Sequence, residues 1–274
     1  GLFSGLHTKV AVYMLYRLWV QLFDMDERWG GLIIVIMIIS MLVGSFGGLA
    51  ENSIRRVLGY QMLNGMPFIL VMMAFTTHDA QRALAAGILY TIHHMITVGS
   101  LILASGAIEE TYGTGRLNKL SGLARRDPII AWIFAAGAFS VVGFPPFSGM
   151  WGKVLIVAEI ARTGGGWAWT VIAVIIIASF AAFLAMLRVW RRVFWGKDLP
   201  KEKVPKELVI RKKLMAPSAA LILGSLTMFI LSGPLIEVTM EASADLLDTD
   251  AYSHAVLGDE PVALPDIDSI QEGR

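Results

Sequence analysis

The chain has 274 residues, of which 55% are hydrophobic and only 16% charged, with a mean hydropathy of +0.63 and a net charge of +1. A water-soluble domain of this length would not stay in solution with that balance, so a lipid bilayer is the natural solvent. The near-neutral charge offers no footing for a nucleic-acid partner, and the absence of cysteine excludes disulfides and thiolate chemistry.

The sequence opens at Gly1 and enters an apolar stretch without a basic leader region or a small-residue cleavage site. It therefore reads as a piece whose upstream part is missing or lies on another chain. Segments long enough to span a hydrocarbon core of roughly 30 Å, about 20 helical residues each, recur seven times. They cover residues 2–22, 31–50, 57–76, 83–108, 128–161, 167–193 and 214–238. Runs such as 171–177 and 178–187 lack the polar alternation of barrel strands, so the expected fold is all-α, a polytopic bundle of about seven transmembrane helices. Asp127 before Pro128 fits a helix N-cap, and Gly196 after Trp195 fits a helix stop.

Basic residues alternate between the loops. Arg55 and Arg56, then Arg116, Lys119, Arg125 and Arg126, then ten residues between Arg188 and Lys213 put sixteen on one side. The other side has only Arg17, Arg28, Arg82, Arg162 and Arg274, while Lys9 and Lys153 fall inside spans. By the positive-inside rule the basic side is cytoplasmic, so the first helix starts inside and the tail emerges outside. Residues 1–238 thus form the bundle and 239–274 an acidic extracytoplasmic tail, expected to be largely mobile and solvated, with ten acidic residues between Glu237 and Arg274. The basic 197–213 loop reads either as a solvated positive-inside loop or as a site for anionic lipid or a partner.

Four ionisable residues inside the spans carry candidate chemistry. Lys9 sits in Leu6-His7-Thr8-Lys9-Val10; a lysine at a helix centre costs about 2.5–3.5 kcal/mol on insertion scales and so faces a bundle interior or water. Its alternative is to snorkel to the cytoplasmic interface from near the helix start. His93 and His94 lie roughly 100° apart on their helix, so one can line a path while the other holds a helix contact. Both can equally be neutral packing groups hydrogen-bonded between helices. Adjacent histidines without nearby carboxylate or cysteine ligands do not make a zinc site.

The fifth segment contains Gly143-Phe144-Pro145-Pro146-Phe147-Ser148-Gly149-Met150-Trp151-Gly152-Lys153. Two prolines remove two amide donors and push the preceding residues out of helical geometry, so the helix is expected to break there, with Lys153 opening the second half. Irregular backbone at membrane depth is tolerated where it lines a cavity or is buried in protein, and broken helices beside an ionisable residue recur in secondary transporters. The alternative is a lipid-facing kink with a snorkelling Lys153. Lysine suits proton exchange because a partly desolvated amine gives up its proton, which a guanidinium does not.

These residues resemble the antiporter-like proton-translocating family shared by Mrp-type cation/proton antiporters and the membrane arm of respiratory complex I. Residues 2–17 with Lys9 resemble the family's eighth helix, and 50–60 the junction of the ninth and tenth. Residues 90–94 resemble the histidine-bearing eleventh helix and 143–153 the broken twelfth. The stretches 245–247 and 252–257 favour the Mrp branch. The resemblance covers nearly the whole chain and implies helices eight to fourteen only. The earlier helices, with their buried glutamate–lysine pair, would be supplied by the N-terminal half of the same subunit. The position four residues after the second histidine, often lysine in relatives, is Val98 here, which implies a more water-dependent relay.

The function this implies is the C-terminal half of a proton/cation-translocating subunit in a multisubunit Na+/H+ antiporter of the bacterial cell membrane. Lys9, His93, His94 and Lys153 would form the relay and His7 and Thr8 would be accessory. Its partners would be the other antiporter subunits, protons, Na+ and the bilayer. No enzyme chemistry, metal or redox cofactor is expected, because the chain offers no haem, iron–sulfur or nucleotide motif. The alternatives are a redox-driven pump subunit of complex I or a membrane hydrogenase, and a non-conducting scaffold.

Overall fold

A computed structural model of the chain describes residues 6–197 and 208–258. Every named element in it is helical. Helix α1 spans Thr8–Gln21, α2 Gly30–Ala50, and α3 Ile54–Leu70, running into a 3-10 segment at Val71–Phe75. Helix α4 spans Ala80–Tyr112, α5 is the single turn Leu123–Arg126, and α6 and α7 cover Pro128–Val142 and Gly149–Thr163. Helix α8 spans Gly165–Val189 and ends in a π-helical turn at Trp190–Phe194; α9, α10 and α11 cover Lys212–Ile230, Ser232–Leu247 and Thr249–Leu257.

Five of these segments, 27–50, 54–75, 80–112, 165–194 and 212–230, are long and apolar enough to cross a membrane. Their apolar runs have no partner for backbone polar groups in lipid except the helix itself. The broken pair α6–α7 and the 14-residue α1 are shorter. The result is an all-α polytopic bundle. Outward faces are apolar, as on α2, where Leu32, Val35, Ile36, Ile39, Val43 and Phe46 are exposed at helical spacing.

The 33-residue α4 is the spine of the bundle, packed in turn by α3, α6, α7, α9 and α10. Along it the core divides. Leu84, Ala86 and Tyr90 belong to one apolar cluster with Tyr16, Phe68, Ile156 and Ile172, whereas Val98, Leu101 and Ile108 belong to another with Leu58, Phe134 and Val189. The residues between the clusters are polar: His93, His94 and Thr97 on α4, Gln61 and Asn64 on α3, the break between α6 and α7, and Ser179 on α8. A polar layer therefore crosses the bundle between two apolar halves.

The basic residues gather at one end. Arg55 pairs with Glu109, Arg211 with Glu110 at 3.2 Å, and Arg126 Nε donates to the Leu208 carbonyl at 3.0 Å. Arg188 donates to the carbonyls of Leu49 and Glu51, both at 2.6 Å, closing the C-terminus of α2. At the opposite end Arg82 pairs with Asp79 and Arg162 with Glu159.

As expected, Asp127 is the N-cap residue of α6 with Pro128 opening the helix; its carboxylate accepts from Tyr112 Oη and from the Ile210 amide at 3.0 Å rather than from the helix itself. The acidic stretch after Val238, expected to be a largely mobile tail, is helical as far as residue 257, in α10 and α11. Leu246 is buried with Val12 and Tyr16, Gln81 Nε2 donates to the Met240 carbonyl at 2.9 Å, and the Arg17 guanidinium lies 4.9 Å from the Tyr252 ring centroid. Residues 259–274 of the predicted tail, and residues 1–5 of the predicted first span, lie outside the described residues.

Candidate functional site

The break between α6 and α7 is built by its glycines as well as its prolines. Helix α6 ends at Gly143, whose φ of +101° is left-handed backbone that a side chain disfavours. Its amide returns to the carbonyls of Phe139 and Ser140, and the Phe144 amide also returns to Phe139. The Val142 carbonyl is left facing Lys153. Pro145 and Pro146 lie on the exposed side of the break, while Ser148 and Gly149 turn inward and are buried. A side chain at Gly149 would strike the Ser140 carbonyl and the His93 ring, so only glycine lets α7 start this close to α4 and α6.

Lys153 lies just past the break, half-buried. Its ammonium donates to the Val142 carbonyl at 2.7 Å and to Ser179 Oγ at 2.9 Å, and it lies 5.1 Å from the Phe68 ring centroid. The first contact puts a cation on the C-terminal end of a half-helix, where the helix dipole is negative. The third places it over an aromatic face, a second favourable seat for a cation.

The two histidines are fully buried and diverge, as their spacing requires. His93 turns to the break: its Nδ1 lies 2.7 Å from Ser148 Oγ and 3.3 Å from Thr97 Oγ1. His94 turns to α3, where a side chain at Gly65 would come within 1.9 Å of its Nε2. His93 Nε2, both polar atoms of the Gln61 amide and Asn64 Oδ1 have no hydrogen-bond partner in the protein among the described residues. Each such atom costs about 1–3 kcal/mol if left unsatisfied, so the layer is chemically suited to water.

Lys9 is 7% exposed, with its ammonium 3.0 Å from Thr8 Oγ1. It lines a groove with Tyr13, Thr91, Ile92 and Ala242, where Thr91 and Ile92 directly precede His93 on α4. His7 is exposed, and the structure does not bring it into the buried layer. The structure thus places Ser148 and Gly149 against His93, Gly65 against His94, Lys153 on the break and Lys9 in the groove beside α4. The sequence reading missed Thr97, Ser140, Ser179 and Ser225, whose one visible signal is a hydroxyl inside an apolar run.

Residues 1–184 match the family described as NADH:quinone oxidoreductase/Mrp antiporter, TM. The chain belongs to that family. It is 30% identical over 261 residues to the D-type Na(+)/H(+) antiporter subunit of Bacillus subtilis, an alignment covering 94% of this chain and 51% of that protein. The D-type Na(+)/H(+) antiporter subunit of Alkalihalophilus pseudofirmus is 28% identical, with the same coverage. Among solved structures, the Mrp complex from Dietzia sp. DQ12-45-1b superposes with a TM-score of 0.83 at 33% identity, covering 93% of this chain and 54% of the matched one. The chain thus spans about half the length of the relatives it matches. These two relatives are antiporter subunits.

Proposed function

We propose that this chain is the C-terminal, proton-conducting half of the D-type subunit of a multisubunit Na+/H+ antiporter. The observation that carries the reading is the polar layer itself. Two buried histidines lie between two apolar clusters, with Lys153 on the break and the buried Lys9 in a groove lined by the same helix, α4. Charged groups inside a membrane protein are expensive, and they persist where they serve an ion path. In the proposed sequence of events a proton passes from Lys9 through His94 and His93 to Lys153. An imidazole suits the middle positions because it can accept at one nitrogen and release at the other. Lysine suits the ends because it exchanges its proton when partly desolvated.

The N-terminal half of the subunit would supply the earlier charged groups and cover the exposed face of α1, where Val10, Tyr13 and Met14 point outward. The basic end of the bundle would face the cytoplasm and α11 the outside of a bacterial cell membrane. The test uses the assembled complex in membrane vesicles, with its subunits identified by mass. Lys9→Ala and His94→Gln should each assemble and lose Na+-driven proton exchange. Wild-type exchange in both variants would make this chain a scaffold, and co-purification with redox subunits would make it part of a respiratory pump.

A further inference from the structure

The last membrane helix holds none of the residues that the proposed relay uses, yet one of its serines closes a ring with His93. Starting at the imidazole, Nδ1 lies 2.7 Å from Ser148 Oγ, which lies 2.8 Å from Ser225 Oγ on α9. Ser225 lies 2.9 Å from Ser140 on α6, and Ser140 2.9 Å from Thr97 on α4. Thr97 returns to Nδ1 at 3.3 Å. The Ser148 amide also points at Ser225 Oγ, at 3.4 Å. All five residues are buried, so the hydroxyls have each other and the imidazole as partners rather than bulk water.

Four hydroxyls carry four protons, and the ring has four short contacts and one long one. That count leaves two ways to orient it. If each hydroxyl donates towards His93, from Thr97 through Ser140, Ser225 and Ser148, then Nδ1 accepts and a neutral ring bears its proton on Nε2. If Nδ1 carries the proton it donates to Ser148, the hydroxyls of Ser148, Ser225 and Ser140 turn to donate the other way, and the Thr97 hydrogen points out of the ring. A chain of hydroxyls polarises cooperatively, so it reverses as a unit.

We propose that this hydroxyl chain sets the tautomer of His93, making Thr97, Ser140, Ser148 and Ser225 positioning residues of the relay. The inference rests on the relay reading above. It binds the orientation of four hydroxyls on α4, α6, α9 and the break to the choice of which imidazole nitrogen exchanges a proton. Nε2, which has no protein partner among the described residues, is the nitrogen left to the relay. A proton taken up at Nε2 while Nδ1 holds one makes an imidazolium that gives a proton back at Nε2, so the four hydroxyls keep their own protons throughout.

The same two helices supply a matched control. Ser100 on α4 and Ser218 on α9 are also fully buried and bonded to each other at 2.9 Å, but no bond joins them to His93. In the assembled complex, Ser225→Ala should slow Na+/H+ exchange roughly tenfold, the scale on which losing the partner that orients a working imidazole is felt. It should also become more sensitive to D2O than the wild type, because proton movement then limits the rate. Ser225→Thr, which keeps the hydroxyl, should restore both. Ser218→Ala should leave both unchanged. Equal losses in Ser225→Ala and Ser218→Ala, without a change in the isotope effect, would make these serines helix glue and overturn the proposal. His93→Gln separates the two readings. If it is inactive while Ser225→Ala behaves as wild type, only the hydroxyl chain falls; if it exchanges normally, the relay falls too.

Discussion

The ammonium of Lys153 is bonded to the carbonyl of Val142, the last residue of the half-helix on the other side of the break. One side chain thus stitches together the two halves of a discontinuous helix and holds its charge at the negative end of the first half. Because Gly143 turns left-handed directly after Val142, the bond depends on the break and the break is filled by the lysine. A proton arriving at or leaving Lys153 would change this stitch.

Gly65 sets the position of His94. A Cβ there would sit 1.9 Å from Nε2 and 2.2 Å from Cδ2, closer than any side chain tolerates. Gly65→Ala should displace the imidazole and lower exchange on the order of a hundredfold, the cost of misplacing a reacting group by about 1 Å. At Gly59, six residues earlier on α3, a Cβ would meet nothing within 4 Å, so Gly59→Ala should exchange normally. Vesicle assays of the two variants, matched for assembly on native gels, check the pair.

Arg188 is expected to matter for stability and not for transport. Its guanidinium bonds the Leu49 and Glu51 carbonyls at 2.6 Å and Asn52 Oδ1 at 2.8 Å, tying α8 to the end of α2. Arg188→Ala should lower stability by about 2–3 kcal/mol, the scale of a hydrogen bond to a charged group. A thermal scan of the purified complex should show the loss, while exchange per assembled complex stays at the wild-type rate.

Orientation follows from the basic end of the bundle. The chain has no cysteine, so a single one reports cleanly. Asn118→Cys, exposed at the basic end, should react with an impermeant thiol reagent only from the cytoplasmic side. Asp250→Cys, exposed on α11, should react only from outside. The reverse pattern would invert the topology.

Most of the fold was legible because lipid leaves a chain few choices. Uninterrupted apolar runs gave each spanning helix, and Pro145–Pro146 between two such runs gave the break. Lys9, His93, His94 and Lys153 stood out because ionisable groups are rare in such runs. Thr97, Ser140 and Ser225 did not, since a serine in an apolar helix also packs well, and Ser140 and Ser225 meet across 85 residues of sequence. The helices after Val238 were hidden for another reason. Acidic residues dominate the average there, while the few side chains that dock, such as Leu246 against Val12 and Tyr16, are single positions that composition dilutes.

The central claim is that a proton resides on Lys153 during transport, and substituting that residue tests it most directly. Lys153→Ala removes the titrating amine, and Lys153→Arg keeps the charge on a group that does not release its proton at physiological pH. Both variants should insert and assemble, because Ala relieves the cost of a charge in the bundle and Arg only preserves it. Exchange would be followed in vesicles with a pH-sensitive dye after a Na+ pulse, alongside native gels. The account predicts severe loss in both assembled variants. Near wild-type exchange in an assembled Lys153→Ala complex would contradict it and leave Lys153 as the stitch between two half-helices and nothing more.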